Sequence, residues 1–199
     1  MSRSLKIVVA DDELDMRDYF QQILPLLGHQ VIGVARTGTE LVELCVSTHP
    51  DLVITDIKMP DMDGIDAASR IYRKEAIPVI LVSAYNDPDF IRRAEGDHIM
   101  AYLVKPIKQA DLEPAIAIAL RRFEQFQALR KETDDLKQAL EDRKVIEKAK
   151  GILMQKAGLN EHDAFRRLQR IASDKNRKLI DIAQTILTAE EALEPPRAN

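Results

Sequence analysis

The sequence has no tryptophan, a single cysteine and no long apolar run, and these absences exclude several classes of protein. Cys45 alone excludes an intrachain disulfide, and its apolar surroundings predict a small core residue. No run approaches the roughly 20 apolar residues needed to span a bilayer. The N-terminus, MSRSLKIVVADDE, turns acidic too early for a secretory signal. We therefore expect a cytoplasmic protein without a membrane span.

The charges are unevenly distributed. Residues 1–141 carry 17 basic and 24 acidic side chains, whereas residues 142–199 carry 12 basic and 9 acidic ones. The first part therefore has a net charge of −7 and the second a net charge of +3, which gives −4 for the chain. An acidic first part and a basic last part indicate different ligands. A metal ion suits the first, and an anionic polymer is possible for the second. The alternative for the second is a solvated helical surface with a modest positive excess.

Over the first 120 residues, short apolar runs alternate with amphipathic stretches. This alternation predicts an α/β fold with a parallel sheet covered on both faces. The predicted strands are Leu5–Ala10, Val31–Val34, Leu52–Thr55, Val79–Val82 and Met100–Leu103. The predicted helices lie near 14–27, 38–47, 65–74 and 88–95, and from 109 onward.

The segment from about Asp111 to Lys156 contains no proline except Pro114 and no glycine before Gly151, which predicts one long helix. A helix of roughly 45 residues would be about 65 Å long, more than a small domain needs. Two short apolar seams run along it, made of Ala119, Phe123 and Phe126 and of Leu129, Thr133, Leu136 and Leu140. We expect a short dimeric coiled coil. The alternative is a long helix packed on its own domain.

The tail reads as three helices, which predicts a small all-α domain. The long helix is predicted to continue to Gln155 or Lys156 and to stop at Ala157-Gly158. A second helix begins after Asn160, an N-cap with Asp163 three residues on. The apolar face of this second helix holds Ala164, Leu168 and Ile171 or Ala172. A third helix is predicted at Leu179–Leu187, and the last residues, EEALEPPRAN, are expected to be frayed.

Polar side chains follow four strands of the predicted sheet. Asp11 and Asp12 follow the first strand, Asp56 the third, Ser83 the fourth and Lys105 the fifth. Because the carboxyl ends of parallel strands form the ligand-binding edge, we expect these groups to meet. Close carboxylates repel one another, and oxygen ligands favour Mg²⁺. A carboxylate there is able to attack phosphorus. Each residue alone has an ordinary interpretation, such as a helix N-cap or a solvated lysine.

Four stretches of this region, IVVADDE, DLVITDIKMPDMDGID, PVILVSA and AYLVKPI, resemble the receiver domain of response regulators. The resemblance implies a flavodoxin-like, doubly wound sheet of five parallel strands. It implies that a histidine kinase phosphorylates Asp56. It also implies that Asp11, Asp12 and Asp56 hold Mg²⁺ together with the backbone carbonyl of Lys58.

The same resemblance implies a switch around the phosphate. Lys105 would pair with Asp56 and then with the phosphoryl group, Ser83 would hydrogen-bond that group, and Tyr102 would move with it. A cis peptide bond is expected before Pro106. Ala84 is small, which should leave the phosphorus reachable by water and by the phosphodonor.

The stretch RKVIEKAKGILMQKAGLNEHDAFRRLQRIASDKNRKLIDIAQTIL resembles the ANTAR domain of transcription antitermination regulators. The resemblance implies a three-helix output that binds paired RNA hairpins, usually as a dimer. Gly151, inside a helix, predicts close approach by another helix or a ligand. Phe165 is the only aromatic residue after Phe126 and is expected in the core, which leaves no platform for stacking bases.

RNA recognition is therefore expected to rest on shape and backbone charge. We expect Lys150 to be the best contact among the basic residues, because its apolar neighbours should face inward. The full candidate set is Lys148, Lys150, Arg166, Arg167, Arg170, Arg177 and Lys178.

These observations predict a receiver domain at 1–121, a coiled-coil linker at 122–141 and an ANTAR-like domain at 142–199. The protein is expected to be a two-component response regulator controlling antitermination, and not a stand-alone enzyme. We expect it to dimerise on activation through residues 119–140. Two alternatives remain: a DNA-binding regulator using the three short helices, and an output that docks another protein.

Overall fold

A computed structural model describes residues 3–84 and 99–193, except for the side chain of Leu193. The chain divides into two compact units, the N-terminal unit (residues 1–128) and the C-terminal unit (residues 129–199). Each is described by itself.

The N-terminal unit is built on one parallel sheet. Its strands are β1 (Lys6–Ala10), β2 (Gln30–Ala35), β3 (Leu52–Asp56), β4 (Val79–Ser83) and β5 (Ile99–Val104). All the paired strands are parallel, in the order β2-β1-β3-β4-β5. This is the flavodoxin-like order, so the predicted fold class is confirmed. Asp56, expected just after the third strand, is its last residue.

Strand periodicity distributes the apolar residues between two layers. In β1, Ile7 and Val9 contribute to one hydrophobic cluster, while Val8 and Ala10 contribute to the other. Helix α1 (Leu14–Leu26) and the first turns of α4 (Gln109–Ala157) cover the first layer. Helices α2 (Gly38–Thr48) and α3 (Gly64–Lys74) cover the second. The helix expected at 88–95 lies outside the described residues.

Cys45 lies in the core of the second layer, so its predicted core position is confirmed. Its side chain is 1% exposed, and burial raises the pKa of its thiol to about 12. A thiol in this position behaves as a small apolar side chain.

The long helix α4 is continuous over 49 residues, but one expected coiled-coil seam serves another purpose. Ala119 is fully buried against the sheet, and Phe123 and Phe126 pack half-buried on the same cluster. Ala119 is therefore unavailable for a dimer contact, while a dimer contact through the exposed parts of Phe123 and Phe126 stays a prediction. Leu129, Leu136 and Leu140, by contrast, are each about 60% exposed.

The C-terminal unit combines the last turns of α4 with α5 (Glu161–Asp174) and α6 (Leu179–Leu193). Its core holds Ala149, Leu168, Ala172, Ile182 and Ala183. The predicted cap is confirmed, because the Asn160 side chain accepts a hydrogen bond from the Asp163 amide at 2.8 Å.

Helix α6 is longer than the sequence suggested. It continues to Leu193, past the expected end at Leu187. The intervening residues include good helix formers, and Glu190 pairs with Lys156 of α4 at 3.1 Å. The helix therefore extends through position 193.

Two expectations for this unit are corrected. A Cβ at Gly151 would meet no atom within 4 Å, so no other helix of the described structure approaches it closely, while approach by a ligand stays a prediction. Phe165 is half-buried and is not a member of the core cluster. Its place on α5 lies one position beyond Ala164, whose side chain points inward instead.

Candidate phosphoryl-transfer site and basic surface

The acidic groups predicted to meet do meet. Thr55 pairs with Ala10 in register, so the ends of β1 and β3 lie side by side. Carboxylate oxygens of Asp11, Asp12 and Asp56 all lie within 4.8 Å of one another. Asp11 and Asp56 are buried, whereas Asp12 is exposed. Three residues distant in sequence therefore form one cluster at the carboxyl edge of the sheet.

Burial makes this cluster costly to ionise. Burial raises the pKa of Asp56 to about 6; Lys105 opposes the rise and Asp11 adds to it. Burial also raises the pKa of Asp11, against hydrogen bonds from Lys105 and from the Glu13 backbone. Both carboxyls would ionise more readily with a second cation beside them.

The cluster fits a hard divalent cation. The Oδ2 atom of Asp11 is buried, and the Lys105 ammonium lies 2.9 Å from it. Three carboxylates offer oxygen donors of the kind that Mg²⁺ prefers. The Lys58 backbone also lies at this site, because its amide donates to Asp56 Oδ2 at 2.9 Å.

Lys105 places its ammonium among three carboxylates. The Nζ atom lies 2.9 Å from Asp11 Oδ2, 2.9 Å from Glu13 Oε1 and 3.3 Å from Asp56 Oδ1. Burial alone would lower the pKa of Lys105, but hydrogen bonds to Glu13 and Asp11, with the neighbouring charges, raise it overall. The ammonium therefore stays charged. The bond between Lys105 and Pro106 is cis, as expected.

A cavity of about 200 Å³ opens onto these groups. Ser83, 6% exposed at the end of β4, lines it together with Ala84. The Lys105 amide donates to the Ser83 carbonyl at 2.8 Å, which holds the lysine backbone at this edge. Tyr102 lies elsewhere: it is half-buried against the second layer, in register with Leu81. The cavity has room for a small anion between Ser83 and Asp56.

The loop after Asp56 depends on close backbone packing. A Cβ at Gly64 would lie 2.0 Å from the Asp56 carbonyl oxygen, which no side chain tolerates. The Gly64 amide donates to the Ile57 carbonyl at 2.8 Å. Glycine at this position thus brings the start of α3 against the end of β3 and fixes the backbone of Asp56.

Two residues of the site were missed by sequence reasoning. Glu13 contacts Lys105, and Arg17, 8% exposed, donates from Nη1 to the carbonyls of Asp11 and Asp12 at 2.7 and 2.8 Å. A signal for Arg17 existed, since it shares a helix face with Phe20 and Leu24. A charged residue on an apolar face needs polar partners.

The basic residues of the C-terminal unit occupy different environments. Arg166, Arg167 and Arg170 are exposed and line an open groove on α5 with Leu159 and Asp163. Lys148, Arg177 and Lys178 are also exposed.

Lys150 is the exception, because it faces inward. Its side chain is 8% exposed, and Nζ lies 2.8 Å from both Glu147 and Glu161. It also lies 5.9 Å from the centre of the Phe165 ring. Hydrogen bonds to Glu147 and Glu161 raise the pKa of Lys150. The premise that Lys150 points outward is wrong: it links the end of α4 to the start of α5.

Within the parts of the chain that the structure describes, none of the helices has the length and apolar character that crossing a membrane requires.

Comparison with known proteins gives two family matches. Residues 7–117 match the response regulator receiver domain, and residues 134–187 match the ANTAR domain. The transcriptional regulatory protein PdtaR of Mycobacterium tuberculosis is 42% identical over 182 residues, which cover 92% of this chain and 89% of that protein.

Solved structures resemble the N-terminal part of the chain. The receiver domain of NarL from Mycobacterium tuberculosis has a TM-score of 0.57 and 26% identity, covering 60% of this chain and 98% of that one. A complex of CheX and CheY with BeF₃ and Mg²⁺ from Borrelia burgdorferi gives a TM-score of 0.53 and 26% identity, covering 56% and 85%.

Proposed function

Because the chain belongs to the response regulators that join a receiver domain to an ANTAR domain, we propose that phosphorylation of Asp56 controls its binding to RNA hairpins. A histidine kinase supplies the phosphoryl group, and the bound hairpin acts in transcription antitermination. We further propose the boundaries 1–121, 122–141 and 142–199 for receiver, linker and output, and a cytoplasmic location.

One observation carries the first half of this proposal. Asp11, Asp12 and Asp56 come together at one sheet edge, and Lys105 lies 3.3 Å from Asp56. Asp56 borders a cavity that admits a phosphoryl group. A buried carboxylate with a cation on one side and a gap on the other is suited to nucleophilic attack.

The side chains have separate tasks in the transfer. An Asp56 oxygen attacks the phosphorus of the kinase's phosphohistidine, and the P–N bond breaks with its electron pair returning to the imidazole. Asp11, Asp12, Asp56 and the Lys58 carbonyl would hold Mg²⁺, which when bound neutralises charge on the transferring group. The Lys105 ammonium shifts its contact from Asp56 to the phosphoryl oxygens and stabilises the negative charge there.

Ser83 and Tyr102 carry the response outward. The Ser83 hydroxyl donates to a phosphoryl oxygen and draws the end of β4 inward. Tyr102, already half-buried in the second layer, moves deeper into the space that this shift opens. The surface around β4 and β5 changes as a result, in the manner of other phosphorylation switches.

RNA binding rests on the arginines of α5. Arg166, Arg167 and Arg170 present three permanent positive charges along one groove, where they can follow a phosphate backbone. Lys148, Arg177 and Lys178 extend this exposed basic surface. Lys150 supports the surface from within, by holding Glu161 at the start of α5.

Dimerisation uses the exposed seam of α4. Leu129, Leu136 and Leu140 step by seven and four residues and are about 60% exposed. Two copies of this seam bury those side chains, as in a two-stranded coiled coil. The contact is expected to strengthen on phosphorylation and to pair two output domains for two hairpins.

The test is a gel shift with hairpin RNA, using wild type and Asp56→Ala with and without beryllofluoride and Mg²⁺. We expect beryllofluoride to tighten RNA binding by wild type only. Replacing Arg166, Arg167 and Arg170 with Gln should weaken binding. The matched control replaces the exposed Lys131 and Lys137 of the linker and should change it much less.

Three results would contradict the proposal: equal binding with and without beryllofluoride, duplex DNA outcompeting the hairpin, or recovery of a partner protein in place of RNA after nuclease treatment. Leu136→Lys tests the dimer separately, because sedimentation should then show a monomer in the presence of beryllofluoride. A dimer that survives this change would place the contact elsewhere.

A further inference from the structure

We propose that Glu13 is a positioning residue that keeps one donor of the Lys105 ammonium from the phosphorylation site at Asp56 until a phosphoryl group competes for it. This inference rests on the proposed phosphorylation of Asp56. It assigns a role to a side chain that lies outside the acidic cluster of Asp11, Asp12 and Asp56.

The distances show how Lys105 divides its contacts. Its Nζ lies 2.9 Å from Asp11 and from Glu13, but 3.3 Å from Asp56. The phosphoacceptor is thus the most distant of the three. The three carboxylates already occupy the three donors of the ammonium, and the contact with Asp56 is the longest. For Lys105 to bind the phosphoryl oxygens with more than that one donor, it must release Asp11 or Glu13.

Exposure decides which partner gives way. The Asp11 side chain is 0% exposed and that of Glu13 is 62% exposed. If Asp11 lost the ammonium, a buried carboxylate would be left without it, which is costly. If Glu13 lost it, water would solvate the freed carboxylate. Glu13 is therefore the contact that Lys105 releases when the phosphoryl oxygens arrive.

The backbone around Glu13 is held independently of its side chain. The Glu13 amide donates to Asp11 Oδ1 at 2.9 Å, and the Arg17 guanidinium binds the carbonyls of Asp11 and Asp12. Glu13 is the N-cap residue of α1, yet its side chain makes no capping hydrogen bond. Its carboxylate is thus available to Lys105, and a substitution there leaves the loop clamped.

Two substitutions separate the contact from the charge. Glu13→Gln removes the negative charge, while Glu13→Asp keeps it but is one methylene too short to reach Lys105 in the same geometry. Asp15→Asn is the matched control, because Asp15 is an exposed acid in the first turn of the same helix. It changes the local charge without touching Lys105.

The first measurement is the affinity of the full chain for beryllofluoride with Mg²⁺. We expect both Glu13 variants to bind about threefold to fivefold more tightly than wild type, the range of an exposed ion pair. Asp15→Asn should match wild type. Unchanged or weaker binding by Glu13→Gln overturns the proposal. So does a Glu13→Asp variant that matches wild type, since charge alone would then explain any effect of Gln.

The second measurement needs no phosphate analogue. Ammonium protons held by carboxylates exchange slowly enough to give a side-chain NMR signal. Because Asp11 and Asp56 still hold Lys105 in the variants, we expect its signal to shift and its protons to exchange faster in both Glu13 variants than in wild type. An unchanged signal and exchange rate in both variants reject the role of Glu13. If wild type fails to bind beryllofluoride, the proposed function fails, and this NMR result still decides whether Glu13 holds Lys105.

Discussion

Each unit of the molecule buries one lysine among carboxylates, and the two lysines have different surroundings. Lys105 is 13% exposed beside Asp11 and Asp56, whose side chains are 0% and 8% exposed. Lys150 is 8% exposed beside Glu147 and Glu161, whose side chains are 53% and 72% exposed. The acids around Lys150 remain in water, while Asp11 and Asp56 beside Lys105 do not.

This difference separates a reactive site from a structural link. At Lys105, buried acids outnumber the cations, so we expect the site to accept a metal ion and to respond to added charge. At Lys150, the surplus negative charge is solvated and no further ligand is needed. The number of buried charges, and not the number of ion pairs, therefore distinguishes the site around Lys105 from the site around Lys150.

The largest expected effect tests the site around Lys105 and Asp56. Asp56→Asn removes the attacking oxygen while keeping nearly the same shape. We expect phosphorylation by a small phosphodonor to fall by at least about a hundredfold, measured by intact-protein mass spectrometry. Asp51→Asn is the control, because Asp51 lies before β3 and binds Arg3 instead. Normal labelling of the Asp56 variant would mean that another residue accepts the phosphate.

Removing each lysine sharpens the comparison. Lys105→Met leaves buried carboxylates without their cation, so we expect a loss of about 3 kcal/mol in unfolding free energy at neutral pH without Mg²⁺. Mg²⁺ should restore part of it. Lys150→Met should cost less and should not respond to Mg²⁺. Urea unfolding of both variants measures the difference, and equal losses with equal metal responses would remove the distinction.

The pH dependence of stability follows from the raised pKa of Asp56. Its pKa rises from 3.8 in the unfolded chain to about 6 in the fold, so between these values the folded protein holds a proton that the unfolded chain has lost. Ionising this carboxyl therefore costs stability as the pH rises. Relative to Asp56→Asn, wild type should lose up to about 3 kcal/mol from pH 4 through pH 6.

Mg²⁺ should flatten this dependence, because a bound cation favours the ionised carboxylate. The measurement is urea unfolding of both proteins at several pH values, with and without Mg²⁺. A difference between wild type and Asp56→Asn that does not change with pH would show that Asp56 ionises normally in the fold.

The smallest effect lies in the C-terminal unit. Gly151→Ala meets no atom within 4 Å and lies inside α4, so we expect a gain of about 1 kcal/mol in unfolding free energy. Gly64→Ala is the opposite control, because its Cβ would collide with the Asp56 carbonyl. A stabilised Gly151→Ala protein that loses RNA affinity would indicate that RNA or a second copy approaches this position. Destabilisation would contradict the open space around it.

The sequence predicted correctly those features that depend on hydrophobic periodicity or on where a strand ends. The buried strands, the cap at Asn160 and the meeting of Asp11 with Asp56 all followed from local pattern and parallel topology. It failed where a helix face had two possible partners. Phe123 and Phe126 fit a coiled coil as well as a sheet, and only the fold shows that the sheet receives them.

The same limit explains the errors in the C-terminal unit. Ala149 and Lys150 are neighbours on α4, and both are buried. Lys150 can face inward because its side chain is long enough to bring the ammonium to Glu161 at the edge of the unit. Sequence position alone does not reveal such a reach. The inward face of Arg17, by contrast, could have been recognised from Phe20 and Leu24 beside it.

Cys45 gives the protein an internal reporter of opening. The chain contains no other thiol, and this one is 1% exposed with its pKa raised to about 12, so reagents that need a thiolate cannot modify the closed state. Modification in native buffer therefore counts the moments when the layer between the sheet and α2 separates. The rate of modification reports the opening of the N-terminal unit alone. If Mg²⁺ or beryllofluoride slows the modification, the degree of slowing measures how strongly that ligand stabilises the closed sheet at a distance from its own site.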